Sequence, residues 1–343
     1  MPKISVIIPC HNCSDTVMRT WNSLLDQTME LSDLECIFVD DASSDDGATW
    51  LCLRQIESQA PEAVMLVHLD ENMRQGGARN VALEYATGKY VQFLDSDDTL
   101  RSDACEKLYN YAEETQAEIV MYNHLYRLND SERVSGAARE NKVYEISTPE
   151  DRKKYLNASF VDYGCTNKFY RLDLIKKAGA RFAEHVVYEE PLFVYPCFLY
   201  INRFAFLNEA LYVYVFRNNS TVTSKLGTHI LEHPAVQLQL LEYCLSRPDV
   251  FNVYRNVIGL YFLWSFYCET LCFAYENHGA VIPLAYYNQM QAIILKVFPD
   301  WKDNPELKGV EQRVRGVLSN IDHQVNSQEE LDELIQRVGK SLA

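Results

Sequence analysis

The sequence predicts an α/β protein with a mostly parallel sheet, helices on both faces of that sheet, and a helical C-terminal region. Short apolar stretches alternate with amphipathic stretches through residues 1–125, which is the pattern of parallel strands joined by crossover helices. The apolar stretches are nearly continuous, as in strands that are buried on both faces. From about residue 228 the pattern is that of successive helices.

Each element of the first part has a reason in the sequence. Apolar runs predict strands, and Val17, Trp21 and Leu24 recur at the spacing of one helix face. Gly88 follows the third helical stretch and predicts its C-terminal cap. The predicted order is strand 3–9, helix 16–28, strand 34–41, helix 46–60, strand 63–69, helix 76–87, strand 89–94, helix 102–116 and strand 118–124.

The rest of the chain is less regular before it becomes helical. The polar stretch 129–147 lacks periodicity and predicts an excursion or a lid-like loop. Residues 153–225 mix short helices and strands, and predicted helices follow to the end. We therefore expect one domain over residues 1–225 and a helical domain over residues 226–343.

Charge and composition exclude some partners and compartments. The 343-residue chain carries 48 acidic and 32 basic residues, a formal net charge of −16. Nucleic acid is not an expected partner, because its binding depends on basic side chains that neutralise phosphates. The start, MPKISVIIP, enters a strand without the apolar core of a signal peptide. Ten scattered cysteines predict free thiols, and together these features predict a cytoplasmic protein.

Residues 257–275 are apolar over nearly the length that spans a bilayer. Glu269 and Thr270 lie inside this stretch, and a charged side chain is costly in lipid. A buried aromatic helix is the favoured interpretation. Peripheral contact with a membrane stays open, as does a homodimer formed through the C-terminal helices.

Four polar segments follow the first four predicted strands. They read PCHN, DDASSDD, DENMRQGGARN and DSDD. Because the carboxyl ends of parallel strands meet at one edge of a sheet, ligands of such sheets bind there. We expect the four segments to form one site.

The acids of these segments suit cations and hydroxyl groups. Asp95 and Asp97 follow a strand and could supply hard oxygen ligands to Mg²⁺ or Mn²⁺, together with substrate phosphates. Asp40 and Asp41 end the second strand, where a carboxylate can accept the N3 proton of uracil or hold a ribose hydroxyl. Turn formation and helix capping are the alternative explanation for such acids.

Gly76 and Gly77 allow close approach of the backbone just before Arg79. An arginine at a helix N-terminus suits a diphosphate or a base carbonyl. By itself this segment is only moderately specific.

Taken in order, these segments resemble those of family 2 glycosyltransferases with the GT-A fold. Members typically carry Pro-x-Tyr-Asn after the first strand, then Gln-Thr, Val-Asp-Asp-Gly-Ser, Asn with Ala-Arg-Asn-x-Gly, and Phe-Leu-Asp-Ser-Asp-Asp. The counterparts here are residues 9–12, 27–28, 39–43, Asn72 with 78–80, and 93–98. The match is specific over about residues 3–100 and continues more weakly to about residue 224.

The resemblance implies a GT-A Rossmann-like sheet and an inverting hexosyl- or N-acetylhexosaminyl-transferase of polysaccharide biosynthesis. The donor would be a nucleotide sugar, usually a UDP-sugar, and the acceptor a hydroxyl of a glycan or lipid-linked molecule. The nucleotide-binding half would cover about residues 1–125 and the acceptor half about residues 126–225. Asp97, helped by Asp95, would bind Mn²⁺ or Mg²⁺.

The resemblance also assigns roles to single residues. His11 replaces the family's tyrosine, and its flat ring could stack near the base. Glu189 and Glu190 fill the family's Glu-Asp pair, so we expect Glu190 to be the general base and Glu189 to position the sugar or acceptor. Arg217 and Ser220 would belong to a loop closing on the diphosphate. The implied donor-binding residues are Pro9, His11, Asn12, Asp40, Asp41, Asn72, Arg79, Asp95, Ser96, Asp97 and Lys168.

Three other interpretations stay open. Cys10 and Cys13 have the spacing of a thioredoxin-like redox site or half a zinc site, although no second cysteine pair completes a metal site. Sugar nucleotidyltransferases have a related fold, but their Gly-rich, Arg-containing first loop is missing here. The His11 and Glu190 substitutions would also suit a catalytically degenerate nucleotide-sugar-binding or scaffold subunit of a glycan assembly system.

Overall fold

A computed structural model describes residues 1–128, 131–135, 140–157, 162–216, 229–277 and 280–342. The chain divides into two compact units, which we name the sheet unit and the helical unit. The sheet unit comprises Met1–Ser147 and Tyr163–Asn218, and the helical unit comprises Thr148–Asp162 and Asn219–Ala343. The expected domain boundary at residue 225 stays a prediction.

The sheet unit alternates strands and helices along the chain. Its strands are β1 (Ile4–Cys10), β2 (Leu34–Asp40), β3 (Val64–His68), β4 (Tyr90–Phe93), β5 (Thr99–Leu100), β6 (Ile119–Leu128), β7 (Ser131–Val134), β8 (Lys142–Glu145), β9 (Lys168–Arg171) and β10 (Arg203–Val215). Its helices are α1 (Val17–Leu25), α2 (Ala48–Gln59), α3 (Arg74–Tyr85), α4 (Ala104–Thr115), α6 (Leu172–Ala178) and α7 (Pro191–Tyr200).

The strands form one ten-stranded sheet in the order β3-β2-β1-β4-β9-β6-β10-β5, with β7 beside β6 and β8 beside β10. Strands β3, β2, β1 and β4 are parallel neighbours. Strand β9 is antiparallel to both β4 and β6, and β10 is parallel to β6. Hence β6 and β10 run in the same direction as β1 to β4. The predicted fold class, an α/β protein with a mostly parallel sheet and a helical C-terminal region, is confirmed.

The apolar residues of the strands and of the helices packed on them form the core of the sheet unit. Every residue of β1 is buried. Helix α1 buries Trp21 and Leu24, and the Trp21 ring lies 6.1 Å from that of Phe38 in β2, edge to face. Burial of each such side chain contributes about 1.5–3 kcal/mol. This packing holds the loops after β1 and β2 on a rigid base.

Two local predictions are wrong. Helix α3 ends at Tyr85 and is followed by Ala86 in an extended conformation, so Gly88 does not cap it. Gly88 instead lies against β1, where a Cβ atom would come within 2.5 Å of the Ser5 backbone nitrogen. The predicted loop 129–147 contains β7 and β8, which pair with β6 and β10. Their residues are mostly exposed, so they lack the alternation that marks a strand in sequence.

The helical unit contains α5 (Pro149–Tyr155), α8 (Glu232–Leu245), α9 (Pro248–Phe262), α10 (Thr270–Glu276), α11 (Leu284–Val297), α12 (Gln312–Leu318) and α13 (Gln328–Leu342). A π-helical stretch, Leu263–Glu269, joins α9 to α10 in one continuous helix. This helix, Pro248–Glu276, could cross a membrane by length and composition, but 78% of its most apolar window is buried inside the protein. That burial agrees with the favoured interpretation, while membrane contact stays a prediction.

Candidate functional site

The carboxyl ends of β1, β2, β3, β4, β6 and β10 lie along one edge of the sheet because these strands share one direction. Pro9 is buried near the end of β1, where it pairs with Val39 of β2. The predicted residues His11, Asp41 and Asp95 follow β1, β2 and β4 closely. The strand order therefore brings these loops to one edge, as parallel sheets require.

His11, Asn12, Asp41 and Asn72 form a hydrogen-bonded group that we name the amide cluster. The Nδ1 atom of His11 lies 2.8 Å from the carbonyl oxygen of Asp41 and 3.1 Å from Nδ2 of Asn72. On the other side of the ring, Nε2 lies 3.2 Å from Nδ2 of Asn12. His11 and both asparagines are exposed. The cluster thus presents a flat ring and amide groups to solvent at the sheet edge.

Asp41 is the buried member of the amide cluster. Its Oδ1 atom accepts a 2.7 Å hydrogen bond from the backbone N–H of Met73, just before α3, and burial raises the pKa of its carboxyl. Asp40 is also buried, and its two oxygens lie near the N–H of Ser43 (3.2 Å) and Nδ1 of His68 (2.9 Å). Asp40 therefore holds the loop that presents Asp41. Direct contact of either acid with a nucleotide stays a prediction.

Arg79 lies between two carboxylates in a group that we name the Arg79 network. Its guanidinium donates to Oε1 of Glu189 at 2.6 Å and to Oδ1 of Asp95 at 2.7 Å. Arg79 is 1% exposed, and within the described part of the chain its Nε atom is buried without a hydrogen-bond partner. A buried charge requires such pairing. Three of the predicted residues therefore meet, but contact of Arg79 with a diphosphate stays a prediction.

Gly76 allows the chain segment that contains Glu189 to approach α3. A Cβ atom at position 76 would come within 2.0 Å of the Ala183 carbonyl oxygen and 3.0 Å of the Glu189 Cβ atom. The N–H of His185 also donates to the Met73 carbonyl at 2.9 Å. The glycine is thus required for contact between two parts of the sheet unit, which is more specific than the close approach of the backbone expected from the sequence.

The loop after β4 is a tight turn anchored by Asp98. Its two carboxylate oxygens accept hydrogen bonds from the Tyr212 hydroxyl at 2.7 Å and from the Val215 N–H at 2.8 Å. Burial, followed by the charges of Asp95 and Asp97, raises the pKa of Asp98 to about 8. Asp98 therefore fastens the turn to β10, whereas Asp95 and Asp97 stay half-buried at the edge.

The donor set of this turn fits the predicted divalent cation. Among the described residues there is no preassembled group of three or more His, Cys, Asp or Glu side chains that could hold a metal. Mg²⁺ and Mn²⁺ are, however, commonly held by one or two carboxylates together with substrate phosphates. The charges of Asp95 and Asp97 disfavour ionisation of Asp98, which indicates an excess of negative charge in this turn, and Arg79 forms an ion pair with Asp95. A cation that a diphosphate also ligates would relieve this excess.

Cys10 and Cys13 are buried free thiols beside the same turn. Burial raises the pKa of the Cys10 thiol, whereas a hydrogen bond with Cys10 lowers that of Cys13. The side chain of Ser96 also lowers the pKa of the Cys13 thiol, so the loops after β1 and β4 lie close together here. The redox and zinc interpretations of these two cysteines stay open.

Glu190 directly precedes α7. One of its carboxylate oxygens accepts a 2.7 Å hydrogen bond from the N–H of Cys165. Burial and the neighbouring Glu189 raise the pKa of Glu190 to about 7, against the opposing effect of Arg79. A carboxyl with a pKa near neutrality is well suited to accept a proton as a general base.

Lys168 begins β9 and is fully buried. Its Nζ atom donates to the Gly164 carbonyl at 2.5 Å and to Oδ1 of Asn167 at 2.8 Å. Its contact with a donor sugar stays a prediction. The predicted closing residues Arg217 and Ser220 lie outside the described residues.

Backbone strain is concentrated at this edge. Among the described non-glycine residues, left-handed φ values occur at Asn12, Ala42 and Asp46 in the first two loops and at Arg74, His185 and Tyr188 around the Gly76 contact, and one further value occurs at Gln116 after α4. Such conformations cost about 1–3 kcal/mol each and cluster at functional sites. His185 and Tyr188 were not predicted from the sequence, because only backbone geometry distinguishes them. Tyr212 was not predicted either, because its partner Asp98 lies far away in sequence.

A family model described as glycosyl transferase family 2 matches residues 5–179, about half of the chain. The chain belongs to this family. The match includes the amide cluster, Arg79, the turn after β4 and Lys168, but it ends before Glu189 and Glu190. The predicted family is confirmed, and with it the predicted class of enzyme at the level of the family.

The fold of this family member is shared with solved structures of TarS from S. aureus. TarS 1-349 in complex with UDP-GlcNAc matches with a TM-score of 0.68 and 21% identity, covering 99% of this chain and 91% of that chain. A likeness at this identity shows the fold alone. The predicted GT-A fold is confirmed.

Curated relatives match over parts of their length. The poly(ribitol-phosphate) beta-glucosyltransferase of Bacillus spizizenii is 28% identical over 184 residues, which cover 54% of this chain and 27% of that protein. The cholesterol galactosyltransferase of Borreliella burgdorferi is 28% identical over 279 residues, which cover 77% and 74%. The chain thus spans about a quarter of the first relative and about three quarters of the second.

Proposed function

We propose that the protein is an inverting glycosyltransferase that moves a hexosyl or N-acetylhexosaminyl group from a UDP-sugar to a hydroxyl of a glycan or lipid-linked acceptor. One observation carries this proposal. Helix α3 connects the two groups of the edge: Met73 before its first turn holds Asp41 of the amide cluster, and Arg79 within it forms the Arg79 network. A nucleoside and its diphosphate-sugar would extend from the first group to the second.

The amide cluster suits the nucleoside. Asp41 would accept the N3 proton of uracil or a ribose hydroxyl, and the exposed ring of His11 would stack near the base. Structures of TarS, which shares the fold of this chain, have been solved in complex with UDP and with UDP-GlcNAc. They support a uridine nucleotide as the donor that we propose for this chain.

Asp95 and Asp97 would hold Mn²⁺ or Mg²⁺. When bound, such an ion supplies Lewis-acid stabilisation of the leaving diphosphate. The chain's own part is to keep both carboxylates in position. Arg79 holds Asp95 through its ion pair, and the hydrogen bonds of Asp98 with Tyr212 and Val215 fasten the turn to β10.

Glu190 would act as the general base. Its carboxylate accepts the proton of the acceptor hydroxyl while that oxygen attacks the anomeric carbon from the face opposite the diphosphate. The new C–O bond forms, the bond to the diphosphate oxygen breaks with its electron pair leaving on UDP, and the configuration inverts. The Cys165 N–H orients the carboxylate, and Glu189 raises its basicity.

A nucleotide-sugar-binding or scaffold subunit without catalysis is the second candidate. Two observations favour this second candidate. Both terminal nitrogens of Arg79 are occupied by protein carboxylates. Glu190 is also one methylene longer than the aspartate that ends the family's Glu-Asp pair.

Release of UDP from a panel of UDP- and GDP-sugars, with and without Mn²⁺, tests the proposal. We expect release from one UDP-sugar, loss in excess EDTA, and recovery with added Mn²⁺. Asp97→Ala should abolish turnover with an unchanged thermal unfolding midpoint. Asp26→Ala is the matched control, since Asp26 is an exposed aspartate at the opposite end of α1.

Two outcomes would count against parts of this proposal. Full activity in excess EDTA would refute the role of the metal. Tight UDP-sugar binding without release from any donor would favour the binding subunit instead.

A further inference from the structure

Strands β6 and β10 carry a ladder of aromatic side chains. In their parallel register His124 lies beside Tyr212, and Tyr126 lies beside Tyr214. Since side chains two residues apart share a face of the sheet, Phe216 continues the line beyond β10. The ring centres lie 5.1 Å apart for His124 and Tyr212, 5.6 Å for Tyr126 and Tyr214, and 5.1 Å for Tyr214 and Phe216.

The inner end of this ladder belongs to the candidate site. Tyr212 is fully buried, donates its hydroxyl hydrogen to Asp98, and accepts a 3.2 Å hydrogen bond from the Asp95 N–H. Strand β5, directly after the turn, pairs with β10 at Tyr212. Because β6 and β10 run in the direction of β4, the ladder passes outward over the edge where the acids lie.

Exposure increases along the ladder. Tyr126 and Tyr214 are half-buried, and Phe216 is 40% exposed. The rings of Tyr126 and Phe216 are also in contact, with centres 5.7 Å apart. We name Tyr126, Tyr214 and Phe216 the aromatic platform. A group of large rings at a surface that continues into a polar site marks a ligand-binding surface.

We propose that the aromatic platform binds a pyranose ring of the acceptor saccharide. This proposal rests on the proposed function and names the acceptor subsite of the same edge. A pyranose has an apolar C–H face and a polar rim of hydroxyls, and tyrosine combines an aromatic face with a hydroxyl. The register places Arg133 of β7, an exposed cation, beside Tyr126. This polar border suits hydroxyl groups better than a sterol ring or an acyl chain.

The position of the platform predicts how much of the acceptor it contacts. Tyr212 and Phe216 are four residues apart, which is about 13 Å of extended chain. The outermost ring of the platform, that of Phe216, therefore lies roughly two pyranose units away from the turn after β4. We expect it to hold a sugar that precedes the attacked residue, so that an acceptor of several sugars binds better than a monosaccharide.

Saturation-transfer difference NMR with methyl β-glucopyranoside, cellotriose and triacetylchitotriose tests the proposal. We expect the ring-face protons of a trisaccharide to be saturated in the wild type and the monosaccharide to bind more weakly. Phe216→Ala should weaken trisaccharide binding by roughly tenfold, the usual loss when a buried aromatic contact is removed from an interface. Tyr126→Phe keeps the ring and should bind within about twofold of the wild type, while Tyr126→Ala should not.

Tyr85→Ala is the matched control, because Tyr85 is 48% exposed at the end of α3 that points away from the edge. It should bind trisaccharides as the wild type does. Calorimetry with UDP should give the same affinity for every variant, which shows that the donor site is intact.

Equal trisaccharide binding by the wild type and Phe216→Ala would overturn the proposal, as would a wild type that binds UDP but neither trisaccharide. Binding to cholesterol-containing vesicles that Phe216→Ala abolishes, without saccharide binding, would overturn it in favour of a lipid acceptor. Loss of trisaccharide binding in Phe216→Ala with a wild type that does not bind UDP would support the saccharide site and refute the proposed function.

Discussion

The amide cluster lies just before the N-terminus of α3, the Arg79 network lies around a residue of that helix, and the two are built differently. The amide cluster consists of an imidazole, two amides and one buried carboxylate, and three of its four members are exposed. Hydrogen bonds of this kind contribute about 0.5–1.5 kcal/mol each. The Arg79 network consists of charged groups, and its central cation is 1% exposed. Removing one partner of such a buried pair costs about 3–5 kcal/mol.

This difference separates groups that can change partners from groups that cannot. His11, Asn12 and Asn72 can exchange weak contacts with one another for contacts with a ligand at little cost. Arg79 cannot leave Glu189 or Asp95 without stranding a buried charge. The edge therefore combines an adaptable half, which we propose binds the nucleoside, with a rigid half that positions carboxylates.

Glu190→Gln should give the largest effect, because it removes the proposed base while preserving the size of the side chain. We expect transfer to fall by about 10²–10⁴-fold, the usual contribution of general base catalysis. Calorimetric affinity for UDP should stay within about twofold, since the amide cluster is untouched. A variant that transfers sugar at a near-normal rate would move the base to another residue.

The pH dependence of the wild-type rate gives a second test of Glu190 as the general base. Only ionised Glu190 can accept a proton, so the rate should rise with pH through about 7. Glu189→Gln removes a neighbouring negative charge and leaves Arg79 less neutralised. Both changes favour the ionised form of Glu190, so the rise should move to lower pH.

Arg79→Ala should give the next largest effect, on stability. The change strands Glu189 and Asp95, and we expect a loss of about 3–5 kcal/mol in the free energy of unfolding measured in urea. Arg181→Ala is the matched control, because Arg181 is half-exposed and pairs with Glu84 at the surface. It should cost no more than about 1 kcal/mol. Equal losses in both variants would show that the Arg79 network is not the rigid half of the edge.

Sequence reasoning located the loops of the edge because their signals are local. The continuous apolar run of β1 and the acids after β2 and β4 are each visible within a few residues. The pairing of Arg79 with Glu189 is not, since 110 positions separate the two residues and no local pattern reports a contact of that range. For the same reason the sequence could not reveal that Gly76 serves the approach of Ala183.

Two other features were hidden for a different reason. Strands β7 and β8 are mostly exposed and are held by pairing with β6 and β10, so no alternation of apolar residues marks them. Likewise, His185 has a left-handed backbone conformation that its residue type does not demand. Sequence patterns indicate which residues are buried and which residues favour turns. The pairing of β7 and β8 and the backbone conformation of His185 depend on neither property.

Asp41→Asn should give the smallest effect and tests the adaptable half. The amide oxygen can still accept from the Met73 N–H, and burial already disfavours the charged form, as the raised pKa of Asp41 shows. Stability should therefore be kept or slightly increased at neutral pH. Affinity for UDP should fall by about tenfold, because the bond from a ligand donor to a carboxylate is stronger than one to an amide. Asp26→Asn is the matched control, because Asp26 is an exposed aspartate at the C-terminal end of α1; it should keep both stability and UDP affinity. Unchanged calorimetric affinity in Asp41→Asn would place the ligand's donor at another member of the amide cluster.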